Sequence, residues 1–280
     1  GAGSLATGPY EQAVAVVREN DRDRYLTTLF APEAVRPHLS ALYAFNAEIA
    51  RIRDVVSDPA LGEIRLQWWR DAIADDVGGG HPIAMALLET IRKYALPREA
   101  FARMLDARIF DLYDDAMPTL NDLEGYAGDT TSALFQMASI VLAGGRDPGT
   151  ADAAGHAGVA YAIMVLLRQL PRNLARNQSI LPRSMLETRG IDPAEIAAGE
   201  ASPRVAGLLR DVRTIARQHL GEAQRAVAPL DPEIKVAFLP LALVAPYLDR
   251  MDAADAKPLA PVELSPWRRQ WILWRASRAA

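Results

Sequence analysis

Arg168, Arg172 and Arg176 recur at i, i+4 and i+8, the spacing that puts side chains on one face of a helix. Guanidinium groups make planar, two-pronged contacts with phosphate and carboxylate oxygens. The stretch therefore reads as an anion-binding wall. Pro171, in its middle, removes a backbone donor and is expected to bend or break the helix. Asp111 and Asp115 share the i, i+4 spacing that two helical carboxylates need to meet one divalent cation. Met117-Pro118 follows at once, so Asp111, Asp114, Asp115, Asp122 and Asp129 read instead as a helix end and its loop. His81, before Pro82, reads as a helix cap; His156 falls in a small-residue helix and His219 in a charged one. None stands in a serine–acid constellation, and neither a triad nor a zinc site is expected. No P-loop or dinucleotide-type glycine loop is present. Trp267, Trp271 and Trp274 fall at i, i+4 and i+7 beside Arg268, Arg269, Arg275 and Arg278. Such a helix either meets a membrane interface or a partner groove, or packs on its own bundle with the tryptophans buried. The buried reading is narrowly preferred.

The elements that must position these residues are helices. Strand-length alternation and hairpin dipeptides are hard to find, whereas a proline or capping residue followed by a 3.6-period apolar stripe recurs. Helices are expected over 9–19, 22–30, 33–56, 59–77, 82–94, 97–115, 120–144, 150–177, 203–228, 231–250 and 266–278. Residues 183–202 read as short turns, and the stretch from Asp252 to Pro266, with three prolines, reads as an extended connector. From Ala151 to Leu167 the only charged residue is Asp152, so that helix should lie inside a bundle. The domain reading is an all-α domain over 1–251, with 252–280 forming a connector and a C-terminal helix packed on or tethered to it.

Composition narrows the classes. Of 280 residues, half are hydrophobic, which supplies a sizeable core. The net charge of -4 gives no reason to expect nucleic-acid binding. No cysteine is present, which removes a thiol nucleophile, Cys-ligated metal and a disulfide scaffold, and fits a reducing compartment. Apolar runs such as 237–245 are too short to span a bilayer and no secretory leader is evident, so a soluble cytoplasmic chain is expected.

Three stretches, in order, resemble the squalene and phytoene synthase family. They are Ala41-Leu42-Tyr43-Ala44-Phe45-Asn46 running on to Asp54; Tyr113 to Gly144, including Thr119-Leu120-Asn121-Asp122-Leu123-Glu124-Gly125-Tyr126; and Leu166-Leu167-Arg168-Gln169-Leu170-Pro171-Arg172-Asn173, ending at Ile180-Leu181-Pro182. With His81-Pro82 and Leu96-Pro97-Arg98, the resemblance covers roughly residues 22–250. It implies the all-α isoprenoid-synthase fold with a central cavity. It also implies Mg²⁺ held by Asp-x-x-x-Asp on one helix and an acidic cluster on a facing one, neutralising a leaving diphosphate.

The sequence departs from that pattern where the metal would bind. Ala50 and Asp54 occupy the first pair of positions, and Glu48, six residues from Asp54, is out of phase with it. Arg168, Gln169, Arg172 and Asn173 stand where the second cluster reads approximately Arg-Asp-x-x-Glu-Asp: Arg168 keeps the arginine, and Gln169, Arg172 and Asn173 replace the three acids. An arginine repels Mg²⁺, so no metal and no resident cofactor is expected. The resemblance leaves two roles for these groups: anion binding without metal, or an ion pair of Asp54 with Arg172 or Arg168 replacing the lost metal bridge. Tyr43, Asn46, Asp54, Arg168, Gln169, Arg172 and Asn173 are therefore the candidate pocket residues; Trp267, Arg268, Arg269, Trp271, Trp274 and Arg275 are the candidate membrane or partner contacts.

A narrower resemblance points the same way. Ala44-Phe45-Asn46-Ala47-Glu48, Asp54 and Leu66-Gln67-Trp68-Trp69-Arg70-Asp71 look like a non-synthase branch of the family. That branch includes a mitochondrial assembly factor for respiratory complex I and its bacterial relatives. It implies an inert synthase relative that helps assemble complex I, with complex I subunits or assembly intermediates as partners. Peripheral contact with an anionic inner-membrane surface fits that role, as does the mitochondrial matrix in a eukaryote. The alternatives are an active head-to-head prenyltransferase using Mg²⁺, and a carrier of a prenyl or lipid ligand.

Overall fold

A computed structural model describes residues 8–176, 178 and 180–279. Their helices, in chain order, are α1 (Pro9–Asn20), α2 (Arg22–Thr28), α3 (Arg36–Ala50), α4 (Ile52–Val55), α5 (Pro59–Asp75), α6 (Pro82–Tyr94), α7 (Arg98–Arg108), α8 (Leu120–Ala127), α9 (Ala133–Leu142) and α10 (Ala151–Leu174). After these come α11 (Arg183–Thr188), α12 (Pro193–Ala197), α13 (Pro203–Val227), α14 (Pro232–Lys235), α15 (Val244–Ala253) and α16 (Pro266–Arg278). Among the described residues there is no strand. The punctuation is local chemistry. Asp58 and Asp192 accept from the backbone N–H two residues on, Ser202 and Ser265 from the one three residues on, and each precedes a proline at the first helical turn. Thr119 and Asp122 form a reciprocal capping box at the start of α8.

Four expected helices differ in detail. The 97–115 run ends as α7 at Arg108, followed by a 3₁₀ turn from Ile109 to Leu112. The 33–56 run is interrupted at Arg51, which separates α3 from α4. The 120–144 run carries a π-helical turn, Gly128–Ser132, between α8 and α9. The 231–250 run is a short α14, a 3₁₀ stretch from Val236 to Leu243 that accommodates Pro240, and α15. Pro171 does not break its helix: α10 continues through it to Leu174, although the proline supplies no N–H for the Leu167 carbonyl.

Packing divides the chain into two compact units. The first contains the described residues up to Leu112, Gln136–Gly149 and Asp231–Ala237. Here α1, α3 and α6 pack together, and α5 packs on α7. Phe45 of α3 lies edge-on to Trp69 and Phe101, with centroids 5.1 and 5.6 Å away. These are favourable aromatic geometries in a fully buried cluster. His38, also of α3, is buried between the Tyr10 and Tyr94 rings, its Nδ1 2.9 Å from Thr90 Oγ1 and 3.2 Å from the Tyr10 hydroxyl.

The second unit contains Tyr113–Phe135, Thr150–Leu230 and the chain from Phe238 onward. Its centre is α10 alongside α13, with α8, the π turn and α15 against α10. The π turn brings Ser132 to α10, where its hydroxyl donates to the Gly155 carbonyl at 3.0 Å. Gly158 makes this approach possible: a Cβ there would sit 1.9 Å from Ser132 Oγ and 2.3 Å from its main-chain nitrogen. Arg213 of α13 is buried, and its guanidinium bonds Asp252 at 2.6 Å and Asp255 at 3.0 Å. By length and composition α10 could cross a bilayer, which the sequence reading did not expect; 61% of its most apolar window is buried within the protein, as in a core helix.

Candidate functional site

The pocket residues named from the sequence fall in both units. In the first, Tyr43 and Asn46 are buried on α3. Burial pushes the Tyr43 phenol up to about 12, with the nearby Arg24 cation acting in the opposite direction. That guanidinium lies 5.7 Å from the Tyr43 ring centroid and pairs with Asp21 at 2.8 Å. Asp54 is exposed on α4, the single turn beyond the Arg51 break, where its N–H donates to the Arg51 carbonyl.

In the second unit the last turns of α10 carry Arg168, Gln169, Arg172 and Asn173. Gln169 and Arg172 are exposed, and Arg168 and Asn173 are half-buried. The Arg168 guanidinium lies 3.9 Å from the centroid of the Tyr247 ring on α15. It also reaches Glu263 at 3.3 Å, in the chain between α15 and α16. Arg168 is thus a tie holding that connector to the core helix, through a cation–π contact and an ion pair. Tyr247, fully buried, was not singled out from the sequence; the apolar stripe around it reads as ordinary core.

These groups do not fit the magnesium cluster that the family resemblance implies. Mg²⁺ takes hard, usually anionic oxygen ligands. The four positions offer two guanidinium cations and two neutral amides. Among the described residues no group of three or more His, Asp or Glu converges as a metal site. The acids around Asp115 follow local duties: Asp111 pairs with Arg108 at 3.0 Å, and Asp122 serves the capping box. The helical turn ends at Leu112, so Asp111 and Asp115 do not share a helix face.

Two other sequence readings change. The tryptophans of α16 are not buried: Trp267, Trp271 and Trp274 are 82%, 55% and 50% exposed, while Leu273 is fully buried. At roughly 100° per residue, the three rings fall within roughly 60° of one another and Leu273 about 130° from their centre. Leu273 therefore faces the protein and the aromatic stripe faces out. Arg275 and Arg278 lie 5.2 and 5.3 Å from the Trp271 and Trp274 ring centroids. The histidines also differ. His81 caps α6 as expected, accepting from the Ala84 N–H. His156 and His219, 63 residues apart in sequence, meet with their Nδ1 atoms 3.0 Å apart. Only the packing of α10 on α13 could reveal that.

Comparison with known proteins bears on the family and the fold. The family model described as squalene/phytoene synthase matches residues 17–275. The "NADH dehydrogenase (ubiquinone) complex I, assembly factor 6" of Rattus norvegicus is 30% identical over 260 residues, 90% of this chain and 78% of that protein. The phytoene synthase of Thermus thermophilus is 25% identical over 282 residues, 97% of this chain and 93% of that protein. The crystal structure of a dehydrosqualene synthase in complex with ligand superposes with a TM-score of 0.84 at 16% identity, covering 97% of this chain and 96% of that one.

Proposed function

The chain belongs to the squalene/phytoene synthase family, and we propose that it works in it as a non-synthase member that assists assembly of respiratory complex I. The observation that carries this reading is the end of α10. Where the family resemblance calls for three carboxylates, α10 carries Gln169, Arg172 and Asn173, two neutral amides and a cation. None of the three offers Mg²⁺ the anionic oxygen it takes. The identity with the rat assembly factor supports the same reading.

The outward face of α16 supports a site of action at a membrane surface. Tryptophan rings favour the headgroup region, and the adjoining arginines complement anionic lipid. The test has two arms. Calorimetry of the purified chain with Mg²⁺ and a prenyl diphosphate analogue is expected to show no metal-dependent binding and, with substrate, no condensed product. Deletion of the gene is expected to lower assembled complex I and membrane NADH oxidation, both restored by the intact chain. Metal-dependent binding at micromolar affinity would favour the prenyltransferase alternative. Normal complex I in the deletion strain would reject the assembly role.

A further inference from the structure

We propose that the outer face of α5 is the contact surface of a twofold-symmetric dimer, covered by the same face of a second copy of this chain. The face lies wholly in the first unit. Its apolar side chains are Leu61, Ile64 and Trp68 of α5, with Val77 and Met85 across the turn into α6; each is between 39% and 65% exposed. At roughly 100° per residue, the three positions on α5 fall within roughly 60° of one another. Gly62, Leu66, Trp69 and Ile73 supply the buried side of the same helix. The turn raises no side chain over the patch, because residues 78–80 are glycine. A Cβ on Gly78 would lie 2.8 Å from Met85 Cγ, and one on Gly79 would lie 3.5 Å from the Trp68 ring. Helix, turn and Met85 therefore form one continuous surface. Trp68 is held within it, its ring centroid 5.3 Å from that of Trp69 and 5.2 Å from that of His81. A large ring already fixed in the free protein loses little freedom on association.

Area and charge select the occupant. The five side chains leave on the order of 400 Å² of apolar surface in water, taking roughly 120–160 Å² for an open aliphatic side chain and ~200 Å² for an indole. A standard interface takes about 800 Å² from each partner, and about 65% of a homodimer interface is apolar, which makes about 500 Å² per subunit. The patch alone supplies most of that. Asp71 and Asp75 are exposed on the same side of α5 as the stripe. Carboxylates there repel an anionic bilayer, whereas the exposed charges beside the α16 tryptophans are arginines. Arg65 borders the other flank of the α5 stripe, so the face does not call for a partner of one strong charge. Antiparallel packing of two α5 helices, centred between Ile64 and Trp68, suits this pattern. It sets Ile64 of one protomer against Trp68 of its partner and carries the acids of the two helices to opposite ends of the contact. Closed twofold pairing is the commonest form of homo-oligomer.

The test is sedimentation equilibrium of the full chain up to about 100 µM, which populates any dimer of micromolar Kd. A dimer is expected. Ile64→Glu, at the most exposed of the five positions, should weaken it at least ~10-fold and leave the melting temperature nearly unchanged. Trp267→Ser should leave the dimer intact, which separates this face from the aromatic stripe of α16. The chain has no cysteine, so Ile64→Cys and Gln218→Cys, the latter exposed on α13, each carry a single thiol. Mild oxidation should link two copies of Ile64→Cys and not of Gln218→Cys, a readout independent of how Ile64→Glu folds. A chain that stays monomeric, a dimer unmoved by Ile64→Glu, or equal cross-linking of the two thiols would overturn the proposal. Loss of anionic-vesicle binding in Ile64→Glu, from a monomeric parent, would overturn it in favour of a bilayer.

Discussion

Replacing Trp267, Trp271 and Trp274 together with serine tests whether α16 is a membrane-facing element. The three side chains leave on the order of 400 Å² of aromatic surface in water, given ~200 Å² per ring system and their fractional exposures in the structure. If half of that area enters the headgroup region, the gain is about 5 kcal/mol at ~25 cal/mol per Å². Arg268, Arg275 and Arg278 are also exposed. Each contributes about 1 kcal/mol near an anionic surface, and immobilising the helix takes several kcal/mol back. The triple variant should therefore bind anionic vesicles at least ~100-fold more weakly, a loss of about 2.7 kcal/mol or more. Residual binding, carried by the arginines, should vanish near 1 M salt, where the Debye length falls to about 3 Å. Folding should barely change, because Leu273 and not the tryptophans anchors the helix; substitutions at such exposed positions usually stay near ~0.5 kcal/mol. Vesicle co-sedimentation and thermal melts on the same preparations decide. Equal vesicle binding by variant and wild type refutes the membrane reading, and a collapse of the melting temperature refutes the packing argument.

Gly158→Ala should destabilise the second unit by about 3 kcal/mol or more, read from urea melts, because the new methyl meets the main chain of Ser132 and not a movable side-chain tip. Arg213→Met should cost about 1–3 kcal/mol in the same assay: a buried pair is broken, but Asp252 and Asp255 are partly solvated and keep Arg217 and Arg210 as partners. Stability should fall as pH drops through about 6.5 and below, because burial holds His38 below its ordinary value of 6.5, and His81 shifts the same way. The unfolded chain then takes up protons that the folded one resists, so stability rises with pH across that window. Melts at pH 7.5 and 5.5 test the sign, and an identical midpoint would refute it. Asp76, held low by Arg92 and Arg98 against a partial burial penalty, and Asp255, held low by Arg210 and Arg213, lose these contacts near and below their ordinary 3.8.

The helical frame was readable because its signals are local. Prolines follow capping residues, and each apolar stripe has the helical period, so the ranges of α1, α6, α13 and α16 fall within a residue or two of expectation. The π turn was not readable, because it exists for a tertiary reason: Ser132 reaches α10 only where Gly158 clears space for it. The candidate site divides along the same line. The replacement of acids by Gln169, Arg172 and Asn173 is visible in the string of residues. What the neighbouring Arg168 does depends on Tyr247, 79 residues on, and Glu263, 95 residues on, which only packing brings within reach. The aromatic stripe of α16 was correctly spaced in the sequence, yet spacing alone cannot say which side faces out; buried Leu273 settles it. His156 and His219 carry no mutual signal in sequence because helix packing, not a motif, joins them. Apolar patterning and backbone fit at positions such as Gly158 maintain the bundle, while chemistry rests on a few polar side chains whose partners come from other helices. Those polar groups can therefore change, as the end of α10 has, without loss of the fold that the family shares.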